Sequence, residues 1–435
     1  MSKKRTDLEQ LNLNAAGIDI GSSFHFVAVP EDRAEKSVRK FLCYTADLKE
    51  MVSWLKECKI TTVAMESTGV YWMPVFQILE ENGFEVILVN ARHIKNVPGR
   101  KTDVADSKWI QQLHTYGLLK GSYQPERAIR ELRTYMRQKD KLIKSRSSHI
   151  LRMQKSLTQM NVQLHKVISD ITGQTGMKIV EAILEGERDS KKLAKMKNKH
   201  IRSSEEEIAK ALEGNYRDDL LFCLKQELEQ YKYISKKIIE CEAMINRVLN
   251  KMDCSGSEIL VEGNKPKDIK KKLEKICGVD LTLIDGLSID SVETIISEVG
   301  TDMTKWPTEK HFGSWLGLSP NNKISGGQIL SSKSKKVINR ASTAFRMAAF
   351  AIGRSNTATG AFYRRLRGRI GAPKAITATA YKIAKQFYKC LKEEVSYNDI
   401  GADYYNQKYK DRVVKNLKKR ASEFGYKLET VALLE

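Results

Sequence analysis

Nowhere in its 435 residues does the chain carry a run of about 18 apolar side chains, so no membrane-spanning helix is expected. Cysteine is sparse and unpatterned. The seven, at positions 43, 58, 223, 241, 254, 277 and 390, are odd in number and never in C-x-x-C spacing, which excludes a disulfide framework and a zinc ribbon. The charged start MSKKRTDLEQ has no apolar h-region and does not read as a secretory leader. A soluble protein of a reducing cytoplasm is expected. The most informative shortage is local: from Lys310 to Lys392 there is no Asp or Glu at all, against 17 Lys and Arg.

That shortage sits within an overall excess of positive charge, 75 Lys and Arg against 53 Asp and Glu, or +22. Residues 1–120 are nearly balanced, with 16 basic and 15 acidic side chains, so residues 121–435 hold 59 basic against 38 acidic. A segment charged in this way is expected to meet phosphates. The length calls for two or three domains, each able to bury a core.

The balanced N-terminal part alternates strand-like and helix-like runs. Residues 15–20 and 24–29 read as strands joined at Gly21-Ser22-Ser23, and 38–44 as a third. A helix follows, with Leu48, Met51, Val52 and Leu55 on one face. Residues 60–65 form a β-rich run ending at Glu66; 71–81 read as helix, 84–89 as strand, and a last helix begins near Asp103. The order βββαβαβα is that of a ribonuclease-H-like fold. In it the first strand is central, so Asp19 near its end would approach the strand tip carrying Glu66 and the helix carrying Asp103 and Asp106.

These four acids are the candidate active site. In GRKTDVAD, residues 99–106, Thr/Asp capping would start a helix at Thr102 or Asp103, and Asp103 and Asp106 would then share one face. Clustered carboxylates suit hard Mg²⁺, and two such ions roughly 3.5–4 Å apart stabilise the attacking and leaving oxygens of a phosphoryl displacement. Each acid read alone is equally a solvated strand end or helix cap, although Asp19 interrupts the apolar GIDI run. GIDIGSS also resembles the opening phosphate loop of actin-like ATPases, but the second, D-x-G-G-G loop such enzymes need is missing.

Beyond Pro125 the pattern lengthens. Ile129, Leu132, Met136, Ile143, Ile150, Met153, Leu157, Met160 and Leu164 follow a heptad register broken by Lys139 and Arg146. A second stripe, Leu221, Leu224, Leu228, Tyr231, Ile238, Ile245 and Leu249, is broken by Ser235 and Glu242. The stripes can close as a hairpin or pair between subunits. Arg127, Arg130, Arg133 and Arg137 are expected on outer faces, suited to a nucleic-acid backbone. Short helices are expected over 170–215 and a linker over 251–270. From Ile276 to Gly300 a short apolar helix, a turn at Asp285-Gly286 and a helix capped by Ser288 or Asp290 read as a helix-turn-helix or a plain αα-hairpin. Ser325 precedes Gly326-Gly327, which is either a simple turn or a place where a phosphodiester can approach a nucleophile. The basic block adds Lys333, Lys335, Lys336, Arg340, Arg364, Arg365, Arg367, Arg369 and Lys374, with Arg100 and Lys101 upstream, as nucleic-acid contacts.

The motifs GIDIG, ESTGVYW, LVNARHIKNVPGRKTDVADSKWI and SYQPERAIRELR, followed by EKHFGSWLGLSPNNKISGG, NRAS, GAFYRRLRGRIGAPKAITATAYKIA and the tail DYYNQKYKDRVVKNLKKRASEFGYKL, carry a resemblance. The chain resembles the DEDD-type transposases of the bacterial insertion sequence one-ten family, recombinases guided by a bridge RNA. Residues 170–270 match loosely, IDGLS lacks the proline and second glycine of the family's hairpin, and Tyr381 stands where His is common. The resemblance implies an α/β ribonuclease-H-like (RuvC-like) catalytic domain over residues 1–120 and a coiled-coil helical region over 121–260. A mainly α-helical transposase domain carrying the serine would span 261–400, and a basic helical tail 401–435. It also implies Asp19, Glu66, Asp103 and Asp106 as Mg²⁺ ligands in a two-metal arrangement, and Ser325 as the nucleophile that forms a phosphoserine link to DNA. The partners implied are donor and target DNA, a non-coding guide RNA and further copies of the chain, a dimer or a tetramer on DNA. The place implied is the bacterial cytoplasm and its nucleoid. A metal-dependent junction-resolving nuclease without a covalent intermediate, and a non-catalytic basic scaffold, are the other readings.

Overall fold

The computed structural model describes residues 9–90, 103–252 and 266–429; Arg100, Lys101 and Cys254 lie outside them. The chain forms two compact units, Met1–Gln124 and Pro125–Glu435.

The first unit is built on five strands, β1 (Ala15–Ile20), β2 (Phe24–Ala28), β3 (Val38–Leu42), β4 (Thr62–Glu66) and β5 (Glu85–Val89), in the order β3-β2-β1-β4-β5. β2 is antiparallel to β1 and β3, while β4 is parallel to β1 and β5, so β1 is central. Among the described residues the unit has the helices α1 (Thr45–Glu57), α2 (Trp72–Glu81) and α3 (Asp103–Thr115). The period of two in each strand sorts the side chains between two faces. Ile18, Ile20, Val63 and Met65 share one core with Met51 and Leu55 of α1 and Leu79 of α2. Ala64 and Val89 instead pack with Ile110 of α3. On β1 and β4 large residues therefore fill one face and small residues the other, which lets α3 lie close to these strands.

The second unit opens with α4 (Arg127–Gln159), continues through the short helices α5 (Leu164–Val167), α6 (Gln174–Leu184), α7 (Ser190–Ala194) and α8 (Glu205–Ala211), and returns along α9 (Asp218–Met252). Lys139 bonds Glu242 at 3.0 Å and His149 bonds Glu227 at 2.5 Å, so numbers rise on one helix as they fall on the other. The two apolar stripes thus close as an antiparallel hairpin within one chain, and the polar breaks Lys139 and Glu242 meet. Ile143 and Ile150 stay half-buried, as expected where only two helices meet. At the hairpin's far end Leu157, Met160, Ile179, Ile183, Ile208, Leu212 and Leu224 make a separate core.

α10 (Pro266–Cys277) takes in five residues of the stretch expected to be linker, 266–270, and Lys251 and Met252 still belong to α9. The expected short apolar helix shrinks to one 3₁₀ turn, Leu281–Leu283, between Gly278 at φ +68° and the Asp285-Gly286 turn. α11 (Ile289–Val299) is capped by Ser288, whose hydroxyl accepts from the Ser291 amide at 3.2 Å. Gly286 has φ +81°, and a Cβ there would stand 2.6 Å from the Ala348 carbonyl oxygen, so this turn packs as part of an αα-hairpin. α12 (Glu309–Trp315), a hairpin of β6 (Lys323–Ser325) and β7 (Gln328–Ser331), α13 (Arg340–Ala351), α14 (Ala358–Ile370), α15 (Ala372–Glu393) and α16 (Ala402–Glu423) complete the unit. Phe312, Phe345 and Phe387, all fully buried, form an aromatic centre whose rings lie 5.4–6.4 Å apart. No described helix is long and apolar enough to cross a membrane.

Candidate active site

Three elements position the four acids. The register that pairs Ile18 with Met65 runs on to set Asp19 beside Glu66 at the end of two parallel strands. Ala15, Gly17 and Asp19 point to one face of β1, as Thr62, Ala64 and Glu66 do on β4. α3 covers that face and runs against the strands. Its Gln111 side chain reaches the Ala15 carbonyl at 3.4 Å, and His114 reaches Thr62 Oγ1 at 2.9 Å. Gly17 lies under the middle of the helix, where a Cβ would fall 2.2 Å from the Gln111 amide and 2.5 Å from the Ser107 carbonyl oxygen. One turn further toward the start of α3, Asp103 and Asp106 come to the level of Asp19.

The charge felt by Asp19 agrees with this placement. Its carboxyl is pushed up to about 6, first by burial, then by Asp103, Asp106 and Glu66 in that order; an Ile20 backbone bond opposes them. Among the described residues the charges that act on Asp19 are acids, an arrangement that favours a cation. Glu66 is steadied by the Thr68 hydroxyl, which donates to Oε1 at 3.0 Å. Among the described residues, no three His, Cys, Asp or Glu side chains close on one point tightly enough to hold a metal. The acids therefore surround Asp19 electrostatically with their oxygens still apart. Their chemistry, hard and anionic, fits a divalent cation with oxygen preference. His114 is held down to about 4 by burial, so its imidazole is neutral and acts as a pin between α3 and β4.

Ser325 ends β6, and with Gln328 it closes a two-residue hairpin turn. Gly326 and Gly327 have φ of +54° and +77°, the left-handed pair such a turn demands. The turn reading of S-G-G is thus correct as geometry. It leaves Ser325 exposed beside exposed Ile324, Ile329 and Leu330.

The expected nucleic-acid contacts divide into two groups. Lys333, Lys335 and Lys336 after β7, Arg367 and Arg369 on α14, and Lys374 on α15 are exposed; Arg127 at the start of α4 is exposed and also has an interaction within the fold. Others are engaged within the fold. Arg130 donates to the Pro125 carbonyl at 3.0 Å, and Arg340 to Asp140 at 2.5 Å. Arg133 donates to the Ser297 and Glu298 carbonyls at 3.1 and 2.8 Å, and Arg137 grips the Glu298 carboxylate through two bonds of 3.0 and 2.8 Å. Arg133 and Arg137 therefore turn onto α11 instead of lining an outer face, because the buried Glu298 needs paired charge. Arg364 donates to the Ser355 carbonyl at 2.6 Å. Arg365 lies 3.9 Å from the Tyr409 ring centre and 5.4 Å from that of Tyr405, so aromatic faces of α16 hold it.

Sequence reasoning passed over Gly17, Gln111 and His114. The signal was present in the alternation Ala15-Gly17 and Thr62-Ala64, small on one face of each strand where Ile18 and Met65 are large on the other.

Two family models match the chain. A DEDD-type transposase model of the IS110 group covers residues 16–162, the stretch holding all four acids, and a model described as transposase of the IS116/IS110/IS902 family covers 280–364, including Ser325. No curated protein matches. The two matches define a transposase-type enzyme acting on DNA. The chain belongs to the IS110 family of insertion-sequence transposases.

Proposed function

We propose that the protein is an RNA-guided, site-specific DNA recombinase that excises and inserts an insertion sequence through a phosphoserine–DNA intermediate. The observation that supports this reading is the gathering of Asp19 with Glu66, Asp103 and Asp106 from three elements, in a stretch matched by a DEDD-type transposase model, with the Asp19 carboxyl pushed up to about 6 by burial and by the other three. A half-buried carboxylate among carboxylates is costly for a fold and useful for holding a cation. Asp19, Glu66, Asp103 and Asp106 would hold Mg²⁺, which when bound stabilises charge on the attacking and leaving oxygens of a phosphoryl displacement. Ser325, exposed on its hairpin, would bring its Oγ to the DNA phosphorus. A new O–P bond forms, the bond from phosphorus to one deoxyribose oxygen breaks, and that oxygen leaves as a hydroxyl carrying the proton the serine gives up. Reversal onto a different strand end completes the exchange with no net loss of phosphodiester bonds.

The exposed Lys and Arg of the second unit suit nucleic-acid backbone, so base pairing by a bound guide RNA would select donor and target DNA while the protein holds their phosphates. The serine of one copy working with the acids of another, in a dimer or a tetramer on DNA, fits a protein whose two motifs lie in separate units.

A nicked DNA substrate trapped with wild-type protein should give a covalent protein–DNA band in a denaturing gel. Ser325→Ala should lose that band, while Ser331→Ala, Ser332→Ala and Ser334→Ala keep it. Cleavage by wild type with no adduct would replace the recombinase with a junction-resolving nuclease in which water attacks the phosphate.

A further inference from the structure

A cavity of about 760 Å³ lies in the helical module between α4 and α9, within the stretch that neither family model covers. Its walls come from the end of α5, the loop into α6 and the segment Asn198–Ser203. These walls are stitched together: the Ser203 hydroxyl donates to the Val167 carbonyl at 2.8 Å, and the Asn198 amide to Thr175 Oγ1 at 3.1 Å. Gly176 lets the loop fold tightly under α6, since a Cβ there would sit 2.3 Å from the Ile171 carbonyl oxygen. The cavity is therefore formed in advance of any ligand.

Its cations are Lys166 and Arg202. Lys166, Arg202, His165 and His200 line it, and among the described residues Lys166, Arg202 and His200 have no ion pair. Asp170 is the sole acid in the wall, and one of its oxygens is already taken by the Thr172 amide at 2.8 Å and hydroxyl at 2.7 Å. His165 Nδ1 is buried without a hydrogen-bond partner, an unmet polar demand in the same wall. Side chains of Ile168 and Ile201 add apolar surface, and Gln174 and Asn198 add amides able to meet a base edge. Pockets of roughly 300–1,000 Å³ enclose ligands of many heavy atoms, so this one is too large for a phosphate ion alone.

We infer that this cavity is a binding site for a phosphate-bearing nucleotide, either free or as one residue of an RNA strand. Lys166 and Arg202 meet the phosphate, and the isoleucines and amides meet the sugar and base. The site stands on the cavity's own residues and does not require the recombinase reading, so its test measures binding and not recombination.

Titration calorimetry on the full chain would use each nucleoside 5′-monophosphate, each nucleoside, inorganic phosphate and homopolymeric five-residue oligoribonucleotides. Hydrogen exchange of residues 163–176 and 198–203 would be followed alongside. At least one monophosphate or oligoribonucleotide should bind and protect both segments, and the exposed double variant Lys166→Ala/Arg202→Ala should weaken it by about 10-fold or more, since each cation lost removes a charge-assisted contact. Lys166→Gln/Arg202→Gln, which keeps most of the side-chain bulk, should weaken it similarly. Binding of a monophosphate identifies a free-nucleotide site; binding of oligoribonucleotide alone identifies a strand residue. The assignment is overturned by nucleosides or inorganic phosphate binding as well as the nucleotides, by variants that bind unchanged, or by no protection with any nucleotide probe.

Discussion

The acid end of the five-stranded sheet and the Ser325 hairpin carry the two halves of the proposed chemistry on opposite structural principles. Asp19, Glu66, Asp103 and Asp106 are fixed by strand register and by a helix seated on a glycine, so their approach follows from secondary structure alone. Ser325 is presented on an exposed two-residue turn. The acid cluster stores electrostatic repulsion in a rigid frame, whereas the hairpin stores little and has its exposed surface to offer to a partner. Glycine marks the contrast. Gly17 is required for space, while Gly326 and Gly327 are required for their φ, with no atom within 4 Å of the Cβ either would gain.

The largest expected effect is at the acids. Asp19→Asn keeps shape and removes the anion, so recombination in Mg²⁺ should fall at least about 100-fold, the range lost with a key electrostatic group. Asp106→Asn should behave alike. The same Asp19→Asn change should raise the melting temperature of the metal-free protein by about 1–3 °C, allowing for solvent screening, because it relieves repulsion from three acids. Recombination at wild-type rate in either variant would take the acids out of the mechanism.

Gly17→Ala comes next. Its Cβ would meet backbone atoms at 2.2–2.8 Å that cannot swing aside, so α3 must lift. A loss of about 3 kcal/mol in urea unfolding is expected, at the upper end for overpacking, with activity falling as Asp103 and Asp106 move from Asp19. Gly326→Asn should cost little by comparison, since Asn tolerates the left-handed turn. Equal losses at the two sites would erase the distinction between space and φ.

Much of the first unit was legible because its signals are local. Strand alternation, the Gly21-Ser22-Ser23 turn and the acids at strand ends placed β1 to β5, and the central position of Asp19, within a few residues. The second unit was harder, because its charges are decided by partners distant in sequence. Nothing near Arg133 or Arg137 announces Glu298, some 160 residues away, and nothing near Arg365 announces Tyr409. Heptad stripes gave two long helices without fixing their pairing; the meeting of Lys139 with Glu242 shows them packed as a hairpin within one chain.

A carboxyl in each unit, Asp19 and Glu293, is pushed well up, and the two should respond differently. Glu293, 3% exposed on α11, is raised to about 7 chiefly by burial, with Asp290 and Glu242 adding and Lys139 opposing. Because its folded value lies above the usual 4.5, the native state holds the proton more tightly than the unfolded chain. Stability should therefore fall as pH rises from about 4.5 to about 7, by on the order of 2–3 kcal/mol. Glu293→Gln should flatten that slope. Mg²⁺ should lower the apparent value of Asp19 and leave that of Glu293 in place; a shift of both would show that the ion acts nonspecifically.

The smallest effects should come from the arginines of α14, and they test whether the basic block is one surface or two. Arg365 is held by the rings of Tyr405 and Tyr409, so Arg365→Gln should lower stability by about 1 kcal/mol through lost cation–π contact and loosen α16. It should barely alter the salt dependence of nucleic-acid binding. Arg367 and Arg369 are exposed in the last turn of the same helix, so the double change Arg367→Gln/Arg369→Gln should leave stability almost unchanged. Its binding isotherms, taken across a salt series, should lose about one unit of log–log slope for each phosphate contact removed. A reversed pattern, with Arg365→Gln changing the slope and the double variant changing only stability, would mean that α16 leaves its seat when nucleic acid binds and that Arg365 exchanges aromatic faces for phosphate.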